Sequence, residues 1–216
     1  MDTNFDSVDV ADGYKIGGAA FPQNAPITKT VGSGKDFETL VDALNWVMTL
    51  SQSSEGQVVL SLDDGTHSIG EPTDFNSWHY CYWNVSVNLM ISSASGTPAS
   101  CIITLPSTDD GDAYPTLFYV SNCSVSFNEI TFSASAGSYP YPGNASCVGI
   151  LDGGKVQANN CVVEDFDDGF YVSGGTLVIV EYSGKGFTID SCARGVFAAN
   201  AASVTIDTGV TISNCT

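Results

Sequence analysis

The sequence predicts an all-β solenoid, a coil of short parallel strands. Three observations lead there: a recurring segment, a two-residue apolar alternation inside it, and turns of Gly, Asn and Ser between the alternating runs. Gly149-Ile150-Leu151 leads through Asp152-Gly153-Gly154 into Lys155-Val156-Gln157-Ala158. Phe170-Tyr171-Val172 leads through Ser173-Gly174-Gly175 into Thr176-Leu177-Val178-Ile179, and Val196-Phe197-Ala198 leads through Asn200-Ala201-Ala202 into Ser203-Val204-Thr205-Ile206. Counted from Val148, Phe170 and Val196, the repeats are 22 and 26 residues apart, and Cys192 and Cys215 are 23 apart. A period of about 20 to 50 residues marks a repeat that cannot bury its apolar face alone and must stack on its neighbours. Strands rich in Val, Ile, Phe and Thr with period two, and no helical spacing, make the repeat a β coil.

Stacking then places Val125, Val156, Leu177 and Val204 in one interior column and Phe127, Ala158, Ile179 and Ile206 in the next. Ser86-Val87-Asn88-Leu89 matches Ser124-Val125-Ser126-Phe127 and extends the columns upstream, for five or six coils in all.

From the N-terminus, residues 1–29 have a different texture. Val8-Asp9-Val10 and Gly13-Tyr14-Lys15-Ile16-Gly17-Gly18 are Gly-punctuated fragments with too few apolar residues to bury themselves, so this segment is either a lead-in or an oligomerisation stem. Residues 30–216 are the coil domain. A helix over 36–51 opens it, with Asp36 as its cap and Phe37, Leu40, Val41, Leu44, Val47 and Met48 at the i, i+3, i+4 spacing of one apolar face. A solenoid has an open apolar end, and this helix is placed to cover it. Val58-Val59-Leu60-Ser61-Leu62 is the first full strand, turned by Asp63-Asp64-Gly65. The chain stops at Asn214-Cys215-Thr216 inside a coil, so a longer protein is expected.

With 24 acidic residues against six Lys and Arg, the net charge of −18 excludes a nucleic-acid-binding surface and disfavours anionic membranes. The start Met1-Asp2-Thr3-Asn4 does not read as a signal peptide, and no apolar run reaches the ~20 residues of a membrane span. Seven cysteines, with no CxxC and no Cys/His cluster, disfavour both a metal site and a complete disulfide framework. They are expected to be buried, reduced thiols, which implies synthesis in a reducing cytosol.

Val31-Gly32-Ser33-Gly34-Lys35-Asp36-Phe37, the helix, Val58 to Leu62 and then Asp64-Gly65-Thr66-His67 together resemble the opening of the pectate-lyase-like right-handed parallel β-helix superfamily. The Gly13 to Gly18 segment resembles the stem repeats of bacteriophage tail fibres and tailspikes. The resemblance implies a homotrimeric virion protein, assembled in the bacterial cytoplasm, that attaches to a capsular or lipopolysaccharide glycan and in some members cleaves it. The catalytic motifs of pectin methylesterases and pectate lyases are not visible, so those activities are not carried over, and no cofactor is expected.

Trp78, Tyr80 and Tyr82, from the densest aromatic cluster, and Tyr139 and Tyr141, in a loop between coils, are the candidate carbohydrate-binding residues. Packing under a long turn or at a subunit contact is the stronger reading of such rings. Glycoside hydrolysis needs two carboxyl groups about 5 to 9.5 Å apart, and stacked strands are about 4.8 Å apart. Aligning Gly169 with Gly195 stacks Glu164 on Asp190, the candidate catalytic pair, and Asp168 on Arg194, expected as a surface ion pair. A close pair of carboxylates would raise one pKa, as a general acid requires. Asp109-Asp110-Gly111-Asp112 reads as a solvated turn, and His67 and His79 as structural histidines. A glycan-binding fibre, a depolymerase on the same scaffold and a stiff spacer all remain open.

Overall fold

The computed structural model of the chain describes residues 15–16, 19–20, 26–50, 57–69, 82–83, 88–104, 116–134, 145–182 and 184–215. Two short strands, β1 (Lys15–Ile16) and β2 (Ala19–Ala20), pair antiparallel. Next come β3 (Ile27–Val31) and the helix α1 (Leu40–Met48). The coil follows as triplets of strands: β4 (Val58–Leu62), β5 (Gly65–Ser68) and β6 (Tyr82–Trp83); then β7 (Leu89–Ser93), β8 (Cys101–Thr104) and β9 (Thr116–Ser121). The third triplet is β10 (Ser124–Asn128), β11 (Thr131–Ser133) and β12 (Ser146–Leu151), and the fourth is β13 (Lys155–Asn159), β14 (Val162–Glu164) and β15 (Asp168–Ser173). The fifth is β16 (Thr176–Val180), β17 (Phe187–Asp190) and β18 (Arg194–Ala199), after which β19 (Ser203–Ile206) and β20 (Val210–Ser213) begin another turn.

Every strand of the coil pairs in parallel with the strand three further on, apart from β3, which pairs with β4 across the helix. Three sheets result, of seven, six and five strands: β19-β16-β13-β10-β7-β4-β3, β20-β17-β14-β11-β8-β5 and β18-β15-β12-β9-β6. This is the right-handed parallel β-helix, with the hand that parallel crossovers almost always take. The first rung starts at Ile27, so the expected boundary between 29 and 30 falls inside β3.

The interior columns run as the alternation dictates. Val125, Val156, Leu177 and Val204 are in register, as are Phe127, Ala158, Ile179 and Ile206, but burial fades at the last rung, where Val204 is half-buried and Ile206, expected inside, is 42% exposed because β19 is the end strand of its sheet. Upstream the expected match is corrected by two residues, because Val125 pairs with Leu89 and Phe127 with Ile91. A two-residue slip leaves every side chain on the same face, so the alternation alone cannot distinguish the two registers. On the axis, Phe118, Phe127 and Phe132 contribute one ring from each sheet, with centroids 5.1 Å apart for Phe118/Phe127 and Phe127/Phe132 and 6.2 Å for Phe118/Phe132.

The corners use left-handed backbone at repeating positions. Glu129 and Asn160 turn the first sheet into the second, Asp165 and Ser191 turn the second into the third, and Asn214 after β20 holds the equivalent position, all at positive φ. The residue after each of these corners points inward or partly so. Cys161 follows Asn160, and Phe166, Cys192 and Cys215 follow the second set, so the thiols serve as small hydrophobes. Cys101, Cys147, Cys161, Cys192 and Cys215 are free thiols, and burial pushes those of Cys101, Cys161 and Cys192 up to about 12. Cys81 lies outside the described residues.

The helix starts later than expected. Thr39 caps it, its Oγ1 accepting from Asp42 N at 3.1 Å and donating to Asp42 Oδ2 at 2.6 Å. Asp36 instead binds β3, its Oδ2 accepting from Thr30 N at 2.9 Å and its Oδ1 from Lys29 Nζ at 3.1 Å. A carboxylate already bound to the preceding strand is no longer available to a helix three residues on. Leu40, Ala43, Leu44 and Val47 form the buried face against the coil, whereas Met48, expected there, is 41% exposed because the helix ends at that residue. The ring of His67 is satisfied by the Asp63 carbonyl at 2.9 Å.

Three outcomes follow for stability. Phe127→Ala removes the ring shared by two aromatic contacts, and urea unfolding should register a loss of about 3–5 kcal/mol. Backbone and side-chain donors of Thr30 and the Lys29 ammonium lower Asp36 to about 2. Its contribution is therefore present above the unfolded value near ~3.9 and is lost as pH falls through the folded value. The melting temperature of Asp36→Asn should accordingly sit below that of the parent at neutral pH, with the gap closing toward pH ~2. Iodoacetamide should label Cys215, which is half-buried, before Cys101, Cys147, Cys161 or Cys192, which should react only after unfolding.

Candidate glycan-binding groove

The outer face of the third sheet carries a column set by the ladder: Tyr119 is in register with Gly149, Gly149 with Tyr171, and Tyr171 with Phe197, while the backbone of Tyr82 pairs with Tyr119. Gly149 interrupts the run of rings. A Cβ at that position would approach the Cδ1 and Cε1 atoms of Tyr119 to 2.6 Å, so the ring of Tyr119 lies across the bare backbone. Beyond the gap, the rings of Tyr171 and Phe197 stack with centroids 5.6 Å apart and planes 12° apart.

Beside these rings a cavity of about 310 Å³ opens, lined by Thr116, Tyr119, Ser146, Gly149, Asp167, Asp168, Tyr171 and Arg194. That volume is at the lower end of the range small-molecule sites occupy, about 300–1,000 Å³. Its polar edge is the corner from the second sheet into the third. The Ala145 carbonyl accepts from the backbone N–H of both Asp167 and Asp168, at 2.8 and 3.2 Å, and Arg194 N donates to the Asp167 carbonyl at 2.7 Å. These bonds hold the two acids and the arginine at matching positions on adjoining coils.

Arg194 meets Asp168 through two atoms, with Nη2 donating to Oδ2 at 2.8 Å and Nε lying 2.6 Å from Oδ1. Its guanidinium is also 3.5 Å from Asp167 Oδ2, and its Cζ sits 4.5 Å from the Phe197 ring centroid. The sequence expectation of a surface pair is corrected here: Arg194 is 45% exposed, but Asp168 is 4% exposed, because the arginine roofs it and β15 packs it inward from the rim. Burial raises the Asp168 carboxyl above its ordinary value, against the pull of Arg194, and its sealed Oδ1 meets Arg194 Nε as an ion pair outside hydrogen-bond geometry. Aromatic faces beside a few fixed polar groups suit a pyranose, whose C–H face packs on a ring while its hydroxyls reach the rim.

The proposed acids Glu164 and Asp190 are register partners on β14 and β17, in the second sheet. Val163 and Ile189 beside them are buried, so both acids lie on the outer face, as the alternation implied. The raised pKa anticipated for the pair does not arise at Asp190. Its carboxylate accepts from Ser213 Oγ at 2.6 Å, Ser191 Oγ at 2.9 Å and Asn214 Nδ2 at 2.7 Å, and these donors lower it instead. Trp78, Tyr80, Tyr139 and Tyr141 lie outside the described residues, as do His79 and the Asp109 to Asp112 run. Of Tyr82 only the backbone is described. Among the described residues no cluster of His, Cys, Asp and Glu is arranged to hold a metal ion.

Sequence reasoning missed the groove because it grouped Gly149 with Phe170. The turn between β12 and β13 is one residue longer than the turn between β15 and β16, so the true partners are Val148 with Phe170 and Gly149 with Tyr171. A one-residue slip exchanges inner and outer faces and conceals the outward column. Aligning the buried positions before the turns would have revealed it.

No family model matches the chain, and no curated protein matches it. Among solved structures it is similar to pectin methylesterase from Aspergillus niger in two glycosylation states of the enzyme, penultimately deglycosylated and deglycosylated. The TM-scores are 0.42 and 0.41 and the identities 14% and 15%, each over 92% of this chain and 86% of the other. A likeness this distant carries no inference about activity, and the coil assignment rests on the strand pairing.

Proposed function

We propose that this chain is a glycan-binding protein of a bacteriophage tail fibre or tailspike, attaching as a homotrimer to a bacterial surface polysaccharide, either capsule or lipopolysaccharide. The observation that carries the glycan reading is the Tyr171/Phe197 stack beside the gap at Gly149, with the Asp168–Arg194 pair on its rim. The virion setting, with assembly in the host cytoplasm, draws on the order of stem-like segment, capping helix and coil in the sequence.

A depolymerase is the second reading. It is favoured by the Glu164/Asp190 register one coil apart and by the buried Asp168 carboxyl, raised by desolvation, facing the neighbouring groove. The donors around Asp190 hold it as the carboxylate and occupy its lone pairs, which makes that residue a poor proton donor and a fastening between coils.

The test is to immobilise the protein, pass capsular polysaccharides and lipopolysaccharides from a bacterial panel over it, and follow retention and new reducing ends together. Retention that Tyr171→Ala weakens about tenfold, the worth of one aromatic contact of ~1.4 kcal/mol, is the expected result. Cleavage lost in Glu164→Gln would establish the depolymerase. Absence of both retention and cleavage would overturn the glycan reading, and a sedimentation mass other than three chains would overturn the trimer.

A further inference from the structure

The charge arrangement within the groove restricts what it can hold. Resting on the glycan reading above, we infer that the groove selects uncharged or amino-bearing sugar units and rejects uronates, sialic acids and other anionic sugars. Arg194 is the one cation among the described lining residues, and it is already engaged: Asp168 takes Nε and Nη2, Asp167 lies 3.5 Å away, and Phe197 takes a face. Two carboxylates against one guanidinium leave the rim with an excess of one negative charge.

A carboxylate on the ligand would have to break the Arg194–Asp168 pair, leaving Asp168 buried without its counter-ion, or approach Asp167 with like charge. Either route is costly in a partly desolvated cavity, where an opposed unit charge changes affinity by about tenfold or more. The protein's net charge of −18 adds a long-range repulsion of the same sign. Hydroxyls meet no such barrier. They can donate to Asp167 and exchange hydrogen bonds with Thr116 and Ser146, both on the lining. An ammonium group gains from the excess negative charge.

The experiment compares retention of chito-oligosaccharides, chitosan oligomers, polygalacturonate and polysialic acid by the full chain at ~0.05 and ~0.5 M salt, alongside the polysaccharide panel. The wild type should prefer neutral and amino glycans over anionic ones by about tenfold at low salt, with the margin shrinking at high salt as the repulsion is screened. Asp168→Asn keeps the shape but releases Arg194, and it should raise retention of anionic glycans several-fold relative to the parent. Asp167→Asn, in the more exposed position, should do the same more weakly, and it guards against a folding defect in the buried variant.

Anionic glycans retained by the wild type as tightly as neutral ones, and lost in Tyr171→Ala, would overturn the selectivity while leaving the glycan reading intact. Retention of no glycan in any arm would overturn both.

Discussion

The ladder of parallel hydrogen bonds between successive coils governs everything else in this molecule. It closes each backbone N–H and C=O onto the coil above or below and fixes the rise at about 4.8 Å. Once the register is set, each side chain belongs to a column, inside or outside, and the columns cannot move independently. The Phe118, Phe127 and Phe132 cluster is the inner consequence, since rings from three sheets can meet only if all three ladders keep the same height. The Tyr119, Gly149, Tyr171 and Phe197 column is the outer one.

Polar fastenings between coils reinforce that register on the surface. Asp190 collects donors from β20 and the corner after it, Asn159 binds Asn128 one coil away, and Lys185 reaches from the loop after β16 to Glu129 and the Gly96 carbonyl. An acidic surface is compatible with this arrangement because several carboxylates are spent locally, on Lys29, Lys35, Lys185 and Arg194 or on hydroxyl and backbone donors. Among the described residues Glu38 and Asp152 face solvent, where repulsion is screened over about 8–10 Å.

How far the sequence spoke follows from the same geometry. Period-two alternation reports which side chains point inward, so the solenoid, its interior columns and the Glu164/Asp190 and Asp168/Arg194 registers were all legible. Alternation is blind to a slip of two, which is why Val87 stood in for Leu89. It is misled by a slip of one wherever turns differ in length, which is how Gly149 came to be grouped with Phe170 rather than Tyr171. The competition for Asp36 between a helix N–H and the Thr30 backbone was hidden as well, because the strand that claims it adjoins only in three dimensions. The burial of Asp168 likewise depends on a roof supplied by Arg194 from the next coil.

Because inward and outward residues alternate along every strand, the groove and the core draw on separate sets of positions. Gly149 shapes the outer face with a missing side chain, while its neighbours Val148 and Ile150 are sealed inside. Substitutions at Tyr119, Tyr171 or Phe197 can therefore accumulate without disturbing the packing that holds the coil. A lineage carrying such a scaffold is free to exchange one recognition surface for another by drift at a handful of outward sites, while its inner columns stay under constraint.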